Sequence, residues 1–179
     1  MAEIEIGLST NEEYAQIAAM DLSFESDHVW KTQTLEEFDS FESSFQRIRL
    51  PKAIRVSFQA YSMANLEALI QQREVLSVRY EDKVIGYLRL EQDETANRLV
   101  LKTGGIMPEY RNKGIGSVLL DRVTEIARHN NLRSIVCMVQ AKNDPAIHFL
   151  LSHGFVFSGY QEFFFRNMEI GLFFSKNVR

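Results

Sequence analysis

The residues best placed to do chemistry form one stretch, Pro108-Glu109-Tyr110-Arg111-Asn112-Lys113-Gly114-Ile115-Gly116-Ser117. Gly114 and Gly116 at this spacing let backbone N–H groups turn toward one point without Cβ obstruction. The apolar periodicity behind them predicts a helix from Gly114 to His129, whose unpaired first amides and positive dipole end suit a phosphate or pyrophosphate. Arg111 and Lys113 add positive charge beside it. The stretch has neither the Gly-Lys-Ser/Thr of a Walker A loop nor the longer Gly-x-Gly-x-x-Gly dinucleotide fingerprint. A turn that only starts a helix could carry the same glycines. His148 and His153 stand at i, i+5 and do not share a helix face, which predicts surface or cap roles and no zinc pair. Cys137, the single cysteine, lies in an apolar run without a basic neighbour and reads as a small core residue. No metal site is expected.

Strands and helices must position that loop. Ile4, Ile6 and Leu8 alternate as a short strand. Ser9-Thr10-Asn11-Glu12-Glu13 supplies two overlapping capping boxes, with Tyr14, Ile17 and Ala18 at helical spacing behind them. Thr34 with Glu37 makes another capping box, and Phe38, Phe41, Phe45 and Ile48 then fall on one helical face, a stripe expected in the core with one edge lining a pocket. Pro51 ends that helix or lies just past it. Ile54, Val56 and Phe58 alternate like a strand, and Met63, Leu66, Leu69 and Ile70 suggest a helix. Val75–Tyr80 and Val84–Leu90 flank a polar turn as an antiparallel hairpin. A strand follows from Leu99 to about Met107. In the Gly114–His129 helix, Ile115, Val118, Leu119, Val123, Ile126 and Ala127 form one stripe. Ser134–Val139 reads as a strand, Pro145–Ser152 as a short helix, and Phe155 onward as strands. Phe163-Phe164-Phe165 places rings on both faces, as in a central strand or a subunit contact. Hairpins mixed with strand-helix-strand crossovers make this one mixed-sheet α/β domain.

Composition sets outer bounds. The chain has 179 residues, 45% apolar and 25% charged, which suits one well-buried domain and excludes wholesale disorder. A net charge of -4 argues against general nucleic-acid binding, which needs surplus Lys and Arg. The charge is uneven: residues 1–50 hold 11 acidic and 3 basic side chains (3 − 11 = -8), and residues 51–179 hold 13 and 17 (17 − 13 = +4). Such a split suits a cationic partner on one part and an anionic one on the other; chance variation on a solvated surface gives the same numbers. The N-terminus lacks a secretory pattern, and no apolar run approaches the roughly 18–20 residues of a membrane helix. With a lone thiol, a cytoplasmic protein is expected, in no contact with a membrane.

The loop with Asn143, Ala146, Phe149, Gly154 and Phe155 resembles the GNAT superfamily of acyl-CoA-dependent N-acyltransferases. Its pyrophosphate loop, Gln/Arg-x-x-Gly-x-Gly/Ala, is matched at Arg111, Gly114 and Gly116. Its Asn-x-x-Ala-x-x-Phe-Tyr-x-x-x-Gly-Phe segment is matched at the other five. The layout is also similar to the streptothricin acetyltransferase-like group, including Glu169-Ile170 in a late strand. The resemblance covers about residues 75–175 and implies a single domain over 1–179, with acceptor-side helices and the first strand in 1–73 and a cofactor-binding core in 75–175. It implies a central mixed, mostly antiparallel sheet of about six to seven strands flanked by helices. It further implies transfer of an acetyl group from acetyl-CoA to a primary amine by direct attack in a ternary complex. Backbone groups of Ile106 and Met107 would hold the cofactor arm. Amides from Arg111, Asn112, Lys113, Gly114, Ile115, Gly116 and Ser117 would wrap the pyrophosphate, and Asn143 would contact the arm. The acidic N-terminal third makes a small cationic amine the expected acceptor, and a homodimer is the default assembly.

The sequence departs from the family at one position. The tyrosine taken to protonate the leaving thiolate is Leu150 here, and no carboxylate stands in the Leu99–Met107 strand as a base. Loss of one acid–base partner costs about 10²–10⁴-fold rather than all activity. Tyr160 is the first candidate for the missing donor and Glu169 for a base. A satisfied buried phenol, for Tyr160 as for Tyr110 and Tyr87, and a solvated strand face for Glu169 are the bland counterparts. Leu150 also motivates an alternative: a non-catalytic acyl-CoA-binding or interaction module of the same fold.

Overall fold

The structure, a computed structural model, describes residues 4–57 and 63–178. In chain order the elements are β1 (Ile4–Leu8), a 3-10 turn (Asn11–Glu13), α1 (Tyr14–Ala18), β2 (Phe24–Glu37), β3 (Ser40–Val56), α2 (Met63–Gln71), β4 (Val75–Tyr80), β5 (Lys83–Asp93), β6 (Arg98–Ile106), a 3-10 turn (Pro108–Tyr110), α3 (Ile115–His129), β7 (Ser134–Gln140), α4 (Asp144–Ser152), β8 (Val156–Gln161) and β9 (Gly171–Asn177). A seven-stranded sheet has the order β1-β4-β5-β6-β7-β9-β8, and β2 and β3 form a second sheet. Pairing is antiparallel for β1–β4, β4–β5 and β5–β6 and parallel for β6–β7, the mixed α/β sheet expected. The parallel pair follows from the α3 crossover, since two strands of one direction need a long connection. The expected Phe58 lies outside the described residues.

The chain divides into two compact units. The first contains the described parts of Met1–Ser23, Ser57–Met138 and Ser175–Arg179. Its core joins Ile17, Met20 and Leu22 to Leu66, Leu69 and Ile70 of α2 and to Val75, Val84 and Tyr87 of the sheet. Glu81 and Asp82, both at positive φ, make the two-residue turn between β4 and β5, the backbone twist such hairpins require. On α3 the buried face is Ile115, Leu119, Leu120, Val123 and Ala127, whereas Val118 is half exposed. Leu120 therefore takes the place expected for Val118. The capping box at Thr10 is present, with the Thr10 N–H donating to Glu13 Oε2 at 2.7 Å. Glu13 is also bound by Ser77 Oγ (3.1 Å) and Arg79 Nη2 (3.0 Å). Burial pushes its carboxyl up, but the Arg79 guanidinium, the Thr10 amide and Ser77 together hold it below its ordinary value.

The second unit contains Phe24–Val56 and Val139–Phe174. Here the predicted helix after Thr34 is overturned: β2 and β3 are an antiparallel hairpin, with Thr34 opposite Ser43 and Glu37 opposite Ser40. Four-residue capping signals are local, and Thr, Ser and Phe are poor helix formers that suit a pleated ribbon better. The aromatic stripe is accordingly not core, since Phe38 is fully exposed and Phe41 is 81% exposed. Pro51 does not end a helix. It lies where the register shifts between Ser26 and His28, a place where a missing N–H costs no ladder bond. Nor do Phe163-Phe164-Phe165 form a strand: they lie in turns between β8 and β9, where Phe164 packs edge-on against Phe165 and Phe173.

A buried carboxylate ties the hairpin to α4. Asp144, in the first turn of α4, accepts Arg47 Nε and Nη2, each at 2.9 Å, and Trp30 Nε1 at 2.9 Å. Desolvation opposes its ionisation, but Arg47 and Trp30, with His148 behind them, lower its pKa on balance. Arg47→Ala should therefore raise amide exchange across residues 28–49 while β4 to β6 keep their protection, read by hydrogen–deuterium exchange. Uniform exchange changes would rule out a local clamp. In the first unit, Glu13→Gln should cost about 2 kcal/mol near neutral pH, because it removes the charge from one of two carboxylates on the half-buried Arg79, leaving Glu5. The depressed Glu13 pKa gives stability that is present above the unfolded value and lost as pH falls through the folded one. Denaturant unfolding should show the wild type losing stability on acidification below the ordinary glutamate value of 4.5 more steeply than the variant.

Candidate active site

The loop between β6 and α3 is built by backbone conformation. Asn112 (φ 59°) and Gly114 (φ 79°) both adopt the left-handed region, one on each side of Lys113. Gly114 is the N-cap of α3 and offers no side chain to its amides. Within the described residues, the Asn112 to Gly116 amides donate to no protein carbonyl, while Ser117 and Val118 close onto Gly114 O at 3.0 and 3.2 Å. Successive amides left open at the head of a fifteen-residue helix make an anion-binding concavity. A Cβ on Gly114 would meet nothing within 4 Å, so glycine is required there for its φ and not for space. The diphosphate of an acyl-CoA fits this donor set.

Arg111 plays a different part from the one its charge suggests. Its guanidinium donates to Ile106 O (2.7 Å), Ser23 O (2.8 Å) and Leu22 O (3.2 Å), and its own N–H turns to Pro108 O at 3.2 Å. The side chain staples the loop to the end of β6 and to the segment after α1. Burial lowers its pKa, with Asp21 and Glu109 opposing. Ile106 O is thus already an acceptor, and the Met107 N–H donates to Ile85 O at 2.9 Å. The parallel ladder between β6 and β7 runs from Arg98↔Ser134 to Leu101↔Cys137, and β6 continues beyond it to Ile106. Gly104, at φ 154°, lies so close to β5 that a Cβ would overlap the Tyr87 carbonyl oxygen.

The remaining candidates belong to the second unit. Asn143 caps α4, its Oδ1 accepting the Ala146 N–H at 3.2 Å. The Tyr160 hydroxyl is held by Thr34 Oγ1 (2.9 Å) and Ser43 Oγ (3.1 Å), and its ring packs edge-on against Phe45, which also meets Phe157. Glu169 lies before β9 rather than in a strand, and pairs with Lys142 Nζ at 2.6 Å. Leu150 is buried at 4% exposure. In the first unit, Tyr87 is fully buried. His153 follows α4 with Nδ1 2.7 Å from Phe149 O, and His148 Nε2 is 3.4 Å from Asp144. In β7 of the first unit, burial pushes the Cys137 thiol up to about 12, which removes the thiolate a nucleophile needs. Among the described residues, Asp27, His28 and Asp144 bring one ligand atom each within 4.8 Å of one another, but the Arg47 guanidinium already occupies Asp144.

The sequence did not disclose the Asp144–Arg47–Trp30 clamp, whose members are far apart in the chain. Asn112 did carry a signal, because Asn is among the few residues that tolerate a left-handed backbone.

Comparison with known proteins agrees with this geometry. Residues 33–155 match the model of the Acetyltransferase (GNAT) family. The Drosophila melanogaster protein named Probable N-acetyltransferase san is 32% identical over 93 residues, 50% of this chain and 50% of its own. The chain spans about half the length of the curated relatives it matches. The fold is shared with nourseothricin acetyltransferase, at TM-score 0.83 and 20% identity over 98% of this chain and 99% of that one. It is shared also with a Bacillus anthracis structure described as a streptothricin acetyltransferase in complex with acetyl coenzyme A, at TM-score 0.77 and 16% identity over 98% of each. No helix among the described residues is long and apolar enough to cross a membrane. A glycine-opened anion loop at the head of α3, on a mixed sheet and inside a family match of this extent, places the chain in the acetyltransferase (GNAT) family.

Proposed function

We propose that this chain is an N-acetyltransferase that moves an acetyl group from acetyl-CoA to a primary amine of a small cationic acceptor. The observation that carries the reading is the run of open amides from Asn112 to Gly116, set by two left-handed residues at the head of α3. Acetyl coenzyme A in the Bacillus anthracis relative and the streptothricin and nourseothricin names of other relatives support it. When bound, the cofactor supplies a thioester carbonyl as the electrophile. The acceptor attacks as a neutral amine: a C–N bond forms, the C–S bond breaks, the nitrogen gives up a proton and the thiolate takes one. The chain's own part is positioning and charge neutralisation. The loop amides hold the anionic end.

Tyr160 is our candidate for thiolate protonation and Glu169 for accepting the amine proton, and Asn143 completes the cofactor contacts. A phenol joined to the hydroxyls of Thr34 and Ser43 has a route for its proton to be replaced. Glu169 would have to work from within its ion pair with Lys142. The acidic side chains of residues 1–50 motivate the cationic acceptor, and the hairpin carries several of them, including Glu36, Glu37, Asp39 and Glu42.

Gly116→Val should raise the Kd for acetyl-CoA by about tenfold or more in calorimetry, since a branched side chain would stand among the open amides. An unchanged Kd would remove the cofactor assignment. Thiol release against a panel of polyamines, aminoglycosides, amino acids and peptides tests turnover; acetyl-CoA binding with no release on any amine would favour the non-catalytic module that Leu150 suggests. With a working acceptor, Tyr160→Phe should lower kcat about 10²-fold and leave the acetyl-CoA Kd within about twofold. An unaltered kcat would sink that role.

A further inference from the structure

Tyr110, at the end of the 3-10 turn that leads into the anion loop, carries two ammonium groups. Lys113 Nζ lies 5.3 Å from its ring centroid and Lys83 Nζ 5.5 Å, both within the range of a cation–π contact. Tyr80 braces the ring at 6.1 Å between centroids, tilted by 55°. Lys83 opens β5 and Lys113 sits in the loop, so two segments far apart in sequence deliver like charges to one ring. Neither ammonium has a carboxylate within salt-bridge distance among the described residues. Two cations gathered this way repel each other, and a ring contact of about 0.5–1 kcal/mol at an exposed site offsets only part of that repulsion. A dianion held by both would offset more of it.

The open amides account for one anionic group, the diphosphate. Coenzyme A carries a second, a phosphate monoester on its ribose, largely dianionic at neutral pH because its second pKa is about 6. We propose that Lys83 and Lys113, held on Tyr110, form the subsite for this ribose phosphate. The assignment rests on the acetyl-CoA reading above and extends it to residues outside the loop: Lys83 from the neighbouring hairpin and Tyr110 as the platform. Both lysines are exposed, so the phosphate would be bound at the rim by charge-assisted hydrogen bonds. The subsite selects the phosphorylated coenzyme over its dephospho form.

Calorimetry with acetyl-CoA and 3′-dephospho-acetyl-CoA tests it, on the full chain as wild type, Lys83→Gln and Tyr110→Ala. The wild type should prefer the phosphorylated form, and Lys83→Gln should weaken acetyl-CoA about tenfold while changing the dephospho form less than about twofold. Tyr110→Ala should shrink the same preference. Equal losses on both ligands would place Lys83 on the diphosphate instead, and no loss on either would leave it outside the site; either result overturns the assignment. Failure of the wild type to bind either ligand would overturn the acetyl-CoA reading itself, a result no variant comparison can imitate.

Discussion

The Arg111 guanidinium bonds three main-chain carbonyls, Ile106 O, Ser23 O and Leu22 O, and the first unit's candidate site depends on that arrangement. A planar fork with five donors is the one side chain that can satisfy several carbonyls converging from different segments. It binds the end of β6, the segment after α1 and the loop into one piece. With its origin fixed, the loop can place Asn112 and Gly114 in left-handed conformations and leave the following amides without internal partners. Positive charge at this motif position therefore builds the loop and does not face its open amides. Lysine would not be equivalent there, because its single ammonium lacks the wide, fixed fork by which three guanidinium nitrogens each reach a separate carbonyl.

Tight approach of β5 and β6 sets the other wall of the loop. Gly104 faces Leu88 in the register, and any Cβ would run into the Tyr87 carbonyl. Tyr87 is fully buried and belongs to the core shared with α1 and α2. The chain leaving β6 is held on the β5 side by Met107 N–H to Ile85 O and by Arg111 on the carbonyl of Ile106. These contacts limit how the strand end can move.

In the second unit the organising group is Asp144. A carboxylate in the first turn of a helix is favoured by the helix dipole, and here it also takes a bidentate arginine from β3 and an indole from β2. The hairpin is thereby anchored at mid-length, and Tyr160 is bound at Thr34 and Ser43 nearer the tip. Beyond these the tip is exposed, and its acidic residues alternate with Phe38 and Phe41. The negative charge of the N-terminal third is thus carried in part on a ribbon and not on helices.

The residue pattern alone determined the β4–β5 hairpin, the strand-loop-helix around Gly114, and the α4 segment, because these rest on local signals: alternation, a glycine needing positive φ, a Pro in the first helical turn. It also determined the family, through glycines and an arginine at fixed spacing. Tertiary structure alone decided the rest. The segment from Thr34 to Ile48 carries both a capping box and a β-rich composition, and the choice falls to the strand because cross-strand pairing and the Arg47–Asp144 contact outweigh a local cap. Arg111 reads as a phosphate ligand by charge, and only the convergence of three distant carbonyls turns it inward. Lys83 carries no signal at all until the fold brings it over Tyr110. Local backbone preferences are written residue by residue, whereas the partner of a charge is set by which segments the fold makes neighbours.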